Sequence, residues 1–561
     1  MVRRALIVVA IAGALALFLV ANRGAYEGFF SDDDIDNIAW TSVTPASSFL
    51  WGLAAPKYYP QHFRPVGHAT FHLLGKYAGL KFKPYVTLVH LLHFANALLV
   101  FLLLRRLKAP PWTAAAGALL FLFPMQVFDA LWKPMYLFDV WCALFSLACL
   151  LCWIDRRFVL AFVCFWLAFK SKEHAVMLPF VLGAYEYWLG ERKWKPLLPF
   201  VGLAGLFAAQ GFLFNKQQGD DYRIHLSPWM VVKTSSFYLS RIILYPWLGL
   251  ALLALPRLTR DRRVYFTLTA GGLLLLPMLL LPERLYAAYL YVSVAFVLMA
   301  VALAMSRLHW AVTAAFVLLW LPLNFSSLRV QRKAALTYAQ ENQAYITQAL
   351  EMARSLPDVR RFIIDGSPEN FRWWGVQGIL RWAYRTFDLE LIRVDSKNLS
   401  EVFAAGPVAM LSWEPPTRKL IVTARKPDEP DASYLRITRY MPVWQLEQGW
   451  YQAEYRYRWT APKASARLWR PADARRFRFE ANIGPQYIEM VKKVRVRVML
   501  DGTQIGETEF TGHGWKVTDF PLAAAPAGTV HVVFEVDPPL KPNPDEPRLL
   551  GIPIGSFGFL P

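Results

Sequence analysis

Cysteine is close to absent from this chain of 561 residues: there are four, Cys142, Cys149, Cys152 and Cys164, and all lie inside apolar stretches. The hydrophilic parts contain none, which excludes a disulfide framework there. Cys149 and Cys152 have CxxC spacing, but they sit in Leu-rich sequence without partner ligands, so packing is expected rather than zinc or redox work. Charge is scarce as well, at 18% of residues against 55% hydrophobic, which excludes a disordered or nucleic-acid-coating chain. Acidic residues are the scarcer sign, 41 against 61 Lys+Arg, for a net charge of +20. Residues 331–561 hold 31 basic and 26 acidic side chains, which leaves 30 basic and 15 acidic for the first 330, so the excess belongs to the hydrophobic half. No repeat of solenoid period is present.

What fills that half is a series of apolar runs, each near the roughly 20 residues that cross a bilayer. About eleven spans are expected, at approximately 5–22, 85–104, 111–128, 136–153, 158–170, 174–190, 196–214, 235–256, 264–281, 286–306 and 309–325. The fifth is short and the eighth carries Arg241. Assigning alternate loops to one side collects Arg3, Arg4, Arg105, Arg106, Lys108, Arg156, Arg157, Arg192, Lys193, Lys195, Arg257, Arg260, Arg262, Arg263 and Arg307 there, opposed only by Asp155, Glu191 and Asp261. This positive-inside pattern predicts a multi-pass protein of the cytoplasmic (inner) membrane, with its N-terminus in the cytoplasm and its C-terminal part outside. No small-x-small cleavage site follows the first run, so a retained span is expected rather than a signal peptide.

Three domains are predicted: a membrane domain, 1–326, with a large first external loop at 23–84; a small α/β domain, 327–430; and an antiparallel β-sandwich, 431–561. After an amphipathic helix at 327–355, the α/β part alternates a strand (Arg360 to Asp365), a helix (Pro368 to Thr386), a strand (Leu389 to Val394) and two further runs at 407–413 and 418–424. Past the break Lys426-Pro427-Asp428-Glu429-Pro430, period-2 strands run from Tyr451 to Trp459, Ala466 to Trp469, Arg476 to Ala481, Val494 to Leu500 and Val530 to Val536.

The strongest chemical signal is Ser31-Asp32-Asp33-Asp34, just after the first span on the outer side. Three adjacent carboxylates beside lipid repel one another, so at least one should titrate abnormally. A solvated cluster or helix N-cap accounts for them as well as a general base does, with a neighbour orienting the acceptor or holding a divalent cation. Lys172 and Arg284 are cations expected at membrane depth, where an unpaired charge is costly; pairing with Glu173 and Glu283 is the alternative to anion binding. Tyr58-Tyr59-Pro60-Gln61-His62-Phe63-Arg64-Pro65 is an aromatic and cationic cluster suited either to a sugar and its phosphate or to interfacial anchoring. His68 and His72 at i, i+4 are expected to pack rather than bind metal, and His93 to bond helix to helix. Lys133 and Asp139 suit a buried pair or a substrate contact. The loop from Asn215 to Ser227, with Asp220, Asp221, Arg223 and His225, suits a lid or a solvated face.

Together, Phe30 with Asp32-Asp33-Asp34, Phe63-Arg64-Pro65, His93 with Asn96, Lys172-Glu173-His174 leading to Leu178-Pro179, and Glu283-Arg284-Leu285-Tyr286 resemble the GT-C fold glycosyltransferases, nearest to bacterial relatives of the TMTC-type protein O-mannosyltransferases. The chain departs from that pattern in having Val86, Val89 and His90 upstream of His93, and in lacking the helical-repeat tail of the eukaryotic members. The resemblance implies inverting transfer of a sugar from a polyprenyl-phosphate donor on the outer face to an envelope glycan, lipid or protein, with no certain cofactor. Asp33 would be the base, with Asp32 and Asp34 as alternates; Lys172, Arg284 and Arg64 would bind the donor phosphate; Tyr59, His62, Glu173 and Tyr286 would contact substrate. Two other readings stand beside it: a surface-polysaccharide polymerase or ligase using a lipid-diphosphate donor, and a non-catalytic glycan-binding or transport protein. The C-terminal sandwich looks like the jelly-roll modules of carbohydrate-binding proteins, and Trp450, Trp459, Trp469 and Trp515 are its candidates for stacking on sugar, with at least half of them expected in the core.

Overall fold

The computed structural model describes residues 2–57, 63–214, 224–242, 248–327, 329–394, 402–403, 406–424, 430–438, 441–454, 456–542 and 546–561. The chain divides into two compact units: Met1–Gln343 with Trp373–Gly378, and Ala344–Arg372 with Ile379–Pro561.

The first unit is helical. Helices occupy the expected apolar runs, but among the described residues three are long and apolar enough to cross a membrane: Phe82–Arg106, Pro134–Ile154 and Ala287–Met305. A fourth is obtained if Trp310–Ser326 and Arg329–Ser355, bent by 42° at their junction, are one broken span. Several of the other runs are shorter helices led in by 3₁₀ turns, as where Glu173–Met177 precedes Leu178–Trp188 and Lys195–Leu197 precedes Leu198–Phe214. The eighth expected span corresponds to two helices, Pro228–Ile242 and Leu248–Thr259, with 243–247 outside the described residues. The long loop 23–84 folds too, into helices Asp32–Val43, Ala46–Ala54 and Pro65–Ala78.

Four turns on the Lys/Arg-rich side share one backbone device. Lys108, Arg156, Arg192 and Arg260 have φ of 59°, 59°, 57° and 49°, the left-handed region that glycine normally fills at a helix C-terminus. At Lys108 the turn is closed by Ala109 N–H to Leu104 O and Lys108 N–H to Arg105 O; Arg157 to Cys152 and Arg156 to Trp153 repeat the pattern. Lys108 and Arg156 thus form Schellman caps with a cation in the glycine position, while Arg260 N–H closes on Pro256 O and Arg192 lies in the connection after Leu178–Trp188.

In the second unit a four-stranded sheet has the order β2-β1-β3-β4, from β1 (Arg361–Asp365), β2 (Glu390–Arg393), β3 (Val408–Glu414) and β4 (Lys419–Ala424). β1 runs parallel to β2 and β3, with the helix Trp373–Tyr384 as crossover, and β4 is an antiparallel hairpin partner of β3. Two antiparallel sheets follow. One has the order β11-β10-β13-β8, built from β8 (Lys463–Arg470), β10 (Val494–Leu500), β11 (Thr503–Phe510) and β13 (Gly528–Asp537). The other has the order β12-β9-β14-β7-β6, with β5 (Tyr434–Arg436) also on β14 (Pro553–Leu560). Its remaining strands are β6 (Trp450–Glu454), β7 (Tyr457–Thr460), β9 (Arg476–Ile483) and β12 (Gly514–Pro521).

The run Tyr451 to Trp459, expected as one strand, turns at Glu454/Tyr457 into a hairpin. The expected boundary near 430 falls inside one continuous core, where Ile363, Val408 and Met410 of the α/β part pack in the same cluster as Phe477, Phe479, Phe534 and Phe557 of the sandwich. Gly449, with φ of 75°, lies where a Cβ would come 2.1 Å from Lys463 O, so only glycine lets the chain enter β6 there.

Candidate active site

The Asp motif opens the helix Asp32–Val43, with Ser31 as N-cap. Asp34 is fully buried and turns back on the cap: the Ser31 backbone N–H and Oγ both donate to its Oδ2 at 2.7 Å. Asp32 Oδ1 accepts the Asp33 backbone N–H at 2.9 Å. The capping role weighed for this motif therefore belongs to Asp34, while Asp33 points elsewhere. The positive end of the helix favours ionised carboxylates here, yet burial outweighs it. Burial first, then the Asp32 charge, raises Asp33 to about 6, against the Trp374 indole and the Arg284 charge, which pull the other way. Asp34 rises to about 7, again chiefly through burial and despite its two bonds from Ser31.

Next to this helix, Asn37 Nδ2 donates to Asp33 O at 2.7 Å and Asn37 Oδ1 meets His68 Nε2 at 3.0 Å. His68 Nδ1 accepts the Arg64 backbone N–H at 2.9 Å, so the ring carries its proton on Nε2 and donates it to Asn37. His72 Nδ1 donates to Thr41 O at 2.8 Å. The His68/His72 pair thus pins one external helix to another, as the packing expectation had it. Gly67 allows the close approach: a Cβ there would stand 2.1 Å from the Phe138 ring.

Arg64 projects from the same helix start and grips Glu173 through two forked bonds of 2.9 Å, with its guanidinium 5.3 Å from the Phe138 ring centre. Lys172 is buried and bonds both oxygens of the buried Asp139 at 2.6 Å, its ammonium 4.5 Å from the Tyr289 ring centre. Two expected pairings are corrected here. Glu173 serves Arg64 rather than Lys172, because Lys172 has extended backbone (φ −162°, ψ 149°) that sends successive side chains in opposite directions. Lys133 pairs with Asp129 at 2.9 Å, one helical turn away, rather than with Asp139.

These groups meet around Tyr136, which has Asp33, Asp129, Asp139 and Tyr289 within electrostatic reach. Arg284 lies in reach of Asp33, with its guanidinium 5.9 Å from the ring centre of Tyr286, whose ring in turn packs edge-on against Tyr289 at 5.6 Å. The structure therefore brings Asp33 and Arg284 together and gathers Arg64, Glu173, Lys172 and Asp139 into a neighbouring ion-pair group. A small pocket beside it is lined by Lys57, Phe63, Arg64, Pro65, Phe169, Lys170 and Glu173. Tyr59 and His62, and Asp220, Asp221 and Arg223 of the expected lid, lie outside the described residues.

Among the described residues no group of three or more His, Cys, Asp or Glu converges on a metal position, and Asp34 is engaged by its own cap. His93 bonds Tyr291 Oη at 2.6 Å and Leu122 O at 3.1 Å, the helix-to-helix role expected of it. Sequence reasoning left out Tyr136, Tyr289 and Trp374. Tyr289 was findable three residues from Tyr286; Trp374, more than 300 residues from Asp33, carried no local signal.

No protein-family model matches the chain, and no curated protein does. Among solved structures it is similar to ArnT from Cupriavidus metallidurans, both in the apo state and bound to undecaprenyl phosphate. In each case the identity is 12% and the TM-score 0.46, over 76% of this chain and 98% of that one.

Proposed function

We propose that this chain is a GT-C-type membrane glycosyltransferase, on the branch that its acidic motif resembles, the TMTC-type enzymes. In this reading it moves one sugar, with inversion, from a polyprenyl-phosphate donor to an envelope glycan, lipid or protein acceptor on the outer face of the inner membrane. The observation that carries the proposal is Asp33. It is the one carboxylate of the motif not engaged by the helix cap, raised to about 6, with a guanidinium in electrostatic reach.

A general base works best when its pKa lies near the working pH, and burial has moved Asp33 there. Asp33 takes the proton of the acceptor hydroxyl, the oxygen attacks the anomeric carbon, and the bond from that carbon to the lipid phosphate oxygen breaks. Arg284, in electrostatic reach of Asp33, stabilises the departing phosphate in this reading. Arg64 and Lys172 are each neutralised by a carboxylate of their own, so they shape and orient the site more than they supply net positive charge. The outer-face location rests on the asymmetry of the basic loops.

The test is sugar transfer in proteoliposomes from a radiolabelled polyprenyl-phosphate sugar. Asp33→Asn is expected to lower the rate by roughly 10²- to 10⁴-fold. The wild-type rate should rise with pH through about 6, as the Asp33 carboxyl ionises, and then level off. Full transfer in the single Asp32→Asn, Asp33→Asn and Asp34→Asn variants and in the triple variant would sink the assignment.

A further inference from the structure

The sequence offers four tryptophans in the sandwich as candidates for stacking on sugar, and the structure separates them. Trp450 stacks on Phe557 in the core at 5.4 Å and gives its indole N–H to Ser465 O. Trp459 packs against the core beside Tyr487. Trp469 and Trp515 are exposed, at 42% and 47%, on opposite sheets.

The outer face of the β11-β10-β13-β8 sheet, which carries Trp469 at one end, bears a lattice of ion pairs at the other, Arg495 and Arg497 with Glu507, and Lys463 with Glu535. The face around Trp515 is built differently. Trp515 lies over the β-bulge at Gly555, where a Cβ would come 2.6 Å from the ring, so the indole sits flush on backbone. Tyr457 meets it edge-on at 6.3 Å, and the exposed Val517 extends the apolar surface along β12.

Beside this platform runs a polar row. Asn482 is directly opposite Trp515 in register and Glu480 opposite Val517. The Glu480 carboxylate is held in place: Tyr434 Oη donates to Ser556 Oγ at 2.9 Å, and Ser556 Oγ donates to Glu480 Oε2 at 3.1 Å. The nearby Arg478 is neutralised by Asp519 through two bonds of 2.6 and 2.7 Å.

We propose that this face, centred on Trp515, is a non-catalytic binding site for a neutral or N-acetylated glycan chain. A pyranose has an apolar face of C–H groups and a rim of hydroxyls, which matches a flat, supported indole bordered by an amide and an oriented carboxylate. Charge favours the same occupant, since Arg478 is already paired with Asp519 and the oriented Glu480 carboxylate disfavours polyanions. The site is independent of the transferase reading, because binding is read without sugar transfer.

The experiment titrates the detergent-solubilised full chain by calorimetry with three probes: cellohexaose, chitohexaose and a hexamer of polygalacturonate. Cellohexaose or chitohexaose is expected to bind. Trp515→Ala should weaken that binding roughly tenfold, about the stacking contribution of one ring. Trp515→Phe should retain most of it, and Trp469→Ala on the opposite sheet should change nothing. Trp515 is exposed, so an unchanged melting temperature in Trp515→Ala shows that the loss is local. The proposal is overturned if none of the probes binds, if polygalacturonate binds best, or if Trp515→Ala and Trp469→Ala behave alike. It is equally overturned if Trp515→Ala abolishes only a concentration-dependent dimer, which would make the β12 edge a protein contact.

Discussion

The two units handle charge in opposite ways. In the sandwich the core is aromatic and aliphatic, and its ion pairs sit on the surface: Arg495, Arg497, Glu507 and Glu509 are each a third or more exposed. In the helical unit two pairs lie inside, with the Lys172 and Asp139 side chains 7% and 2% exposed and Glu186 completely buried against Arg156 and the Trp153 indole. Surface pairs gain little because water already solvates both partners. Buried pairs cost desolvation and survive only when well bonded. One of these pairs, Lys172 with Asp139, lies beside Tyr136 in the candidate site, while Glu186 with Arg156 secures the turn that follows Ile154.

This contrast breaks most clearly at Lys172. Lys172→Met strands the Asp139 charge among apolar helices and is expected to cost about 3–5 kcal/mol, read as a loss of thermal stability in detergent. Lys172→Met combined with Asp139→Leu should recover most of it; an equal loss in the double variant would mean that shape rather than charge holds the site. Next, Gly67→Ala places a methyl group against the Phe138 ring and should cost about 1–3 kcal/mol. It should also lower sugar transfer, because the same helix positions Arg64.

Asp34 sharpens the comparison through pH. Its carboxyl is raised from 3.8 to about 7 in the folded chain, which therefore binds a proton more tightly than the unfolded chain does. The stability this supplies is fully present below 3.8 and is lost as pH rises through about 7. Melting temperature should fall across that window, and Asp34→Asn should flatten the slope. The smallest effect belongs to the sandwich surface: Arg497→Ala is expected to change stability by about 0–1 kcal/mol, a difference that shrinks further in high salt.

Much of this was legible in the sequence for physical reasons. Period-2 alternation in Val494–Leu500 and Arg476–Ile483 buries every second side chain and so declares a strand. The strands β11, β12 and β14 went unread: β11 and β12 are edge strands with mixed exposure, and β14 is buried on both faces, so none shows a clean alternation. At the site, the Asp cluster announced itself by like-charge proximity. Its division of labour did not, because the side chain that turns back to Ser31 depends on the helix beginning at Asp32. The partners of Lys172 and Arg64 were hidden for another reason. Each is separated in sequence from its carboxylate by 33 and 109 residues, respectively, and is brought to it only by helix packing.

The four basic residues with left-handed backbone at 108, 156, 192 and 260 have a further consequence. A chain selected for folding alone would carry glycine at 108, 156, 192 and 260, because each side chain there resists the required backbone by about 1 kcal/mol. Replacing all four by glycine should therefore make the folded protein more robust. It would also delete four of the cations on which the expected positive-inside orientation rests. At these turns the ease of the finished fold is set against the charge asymmetry that such an orientation would need.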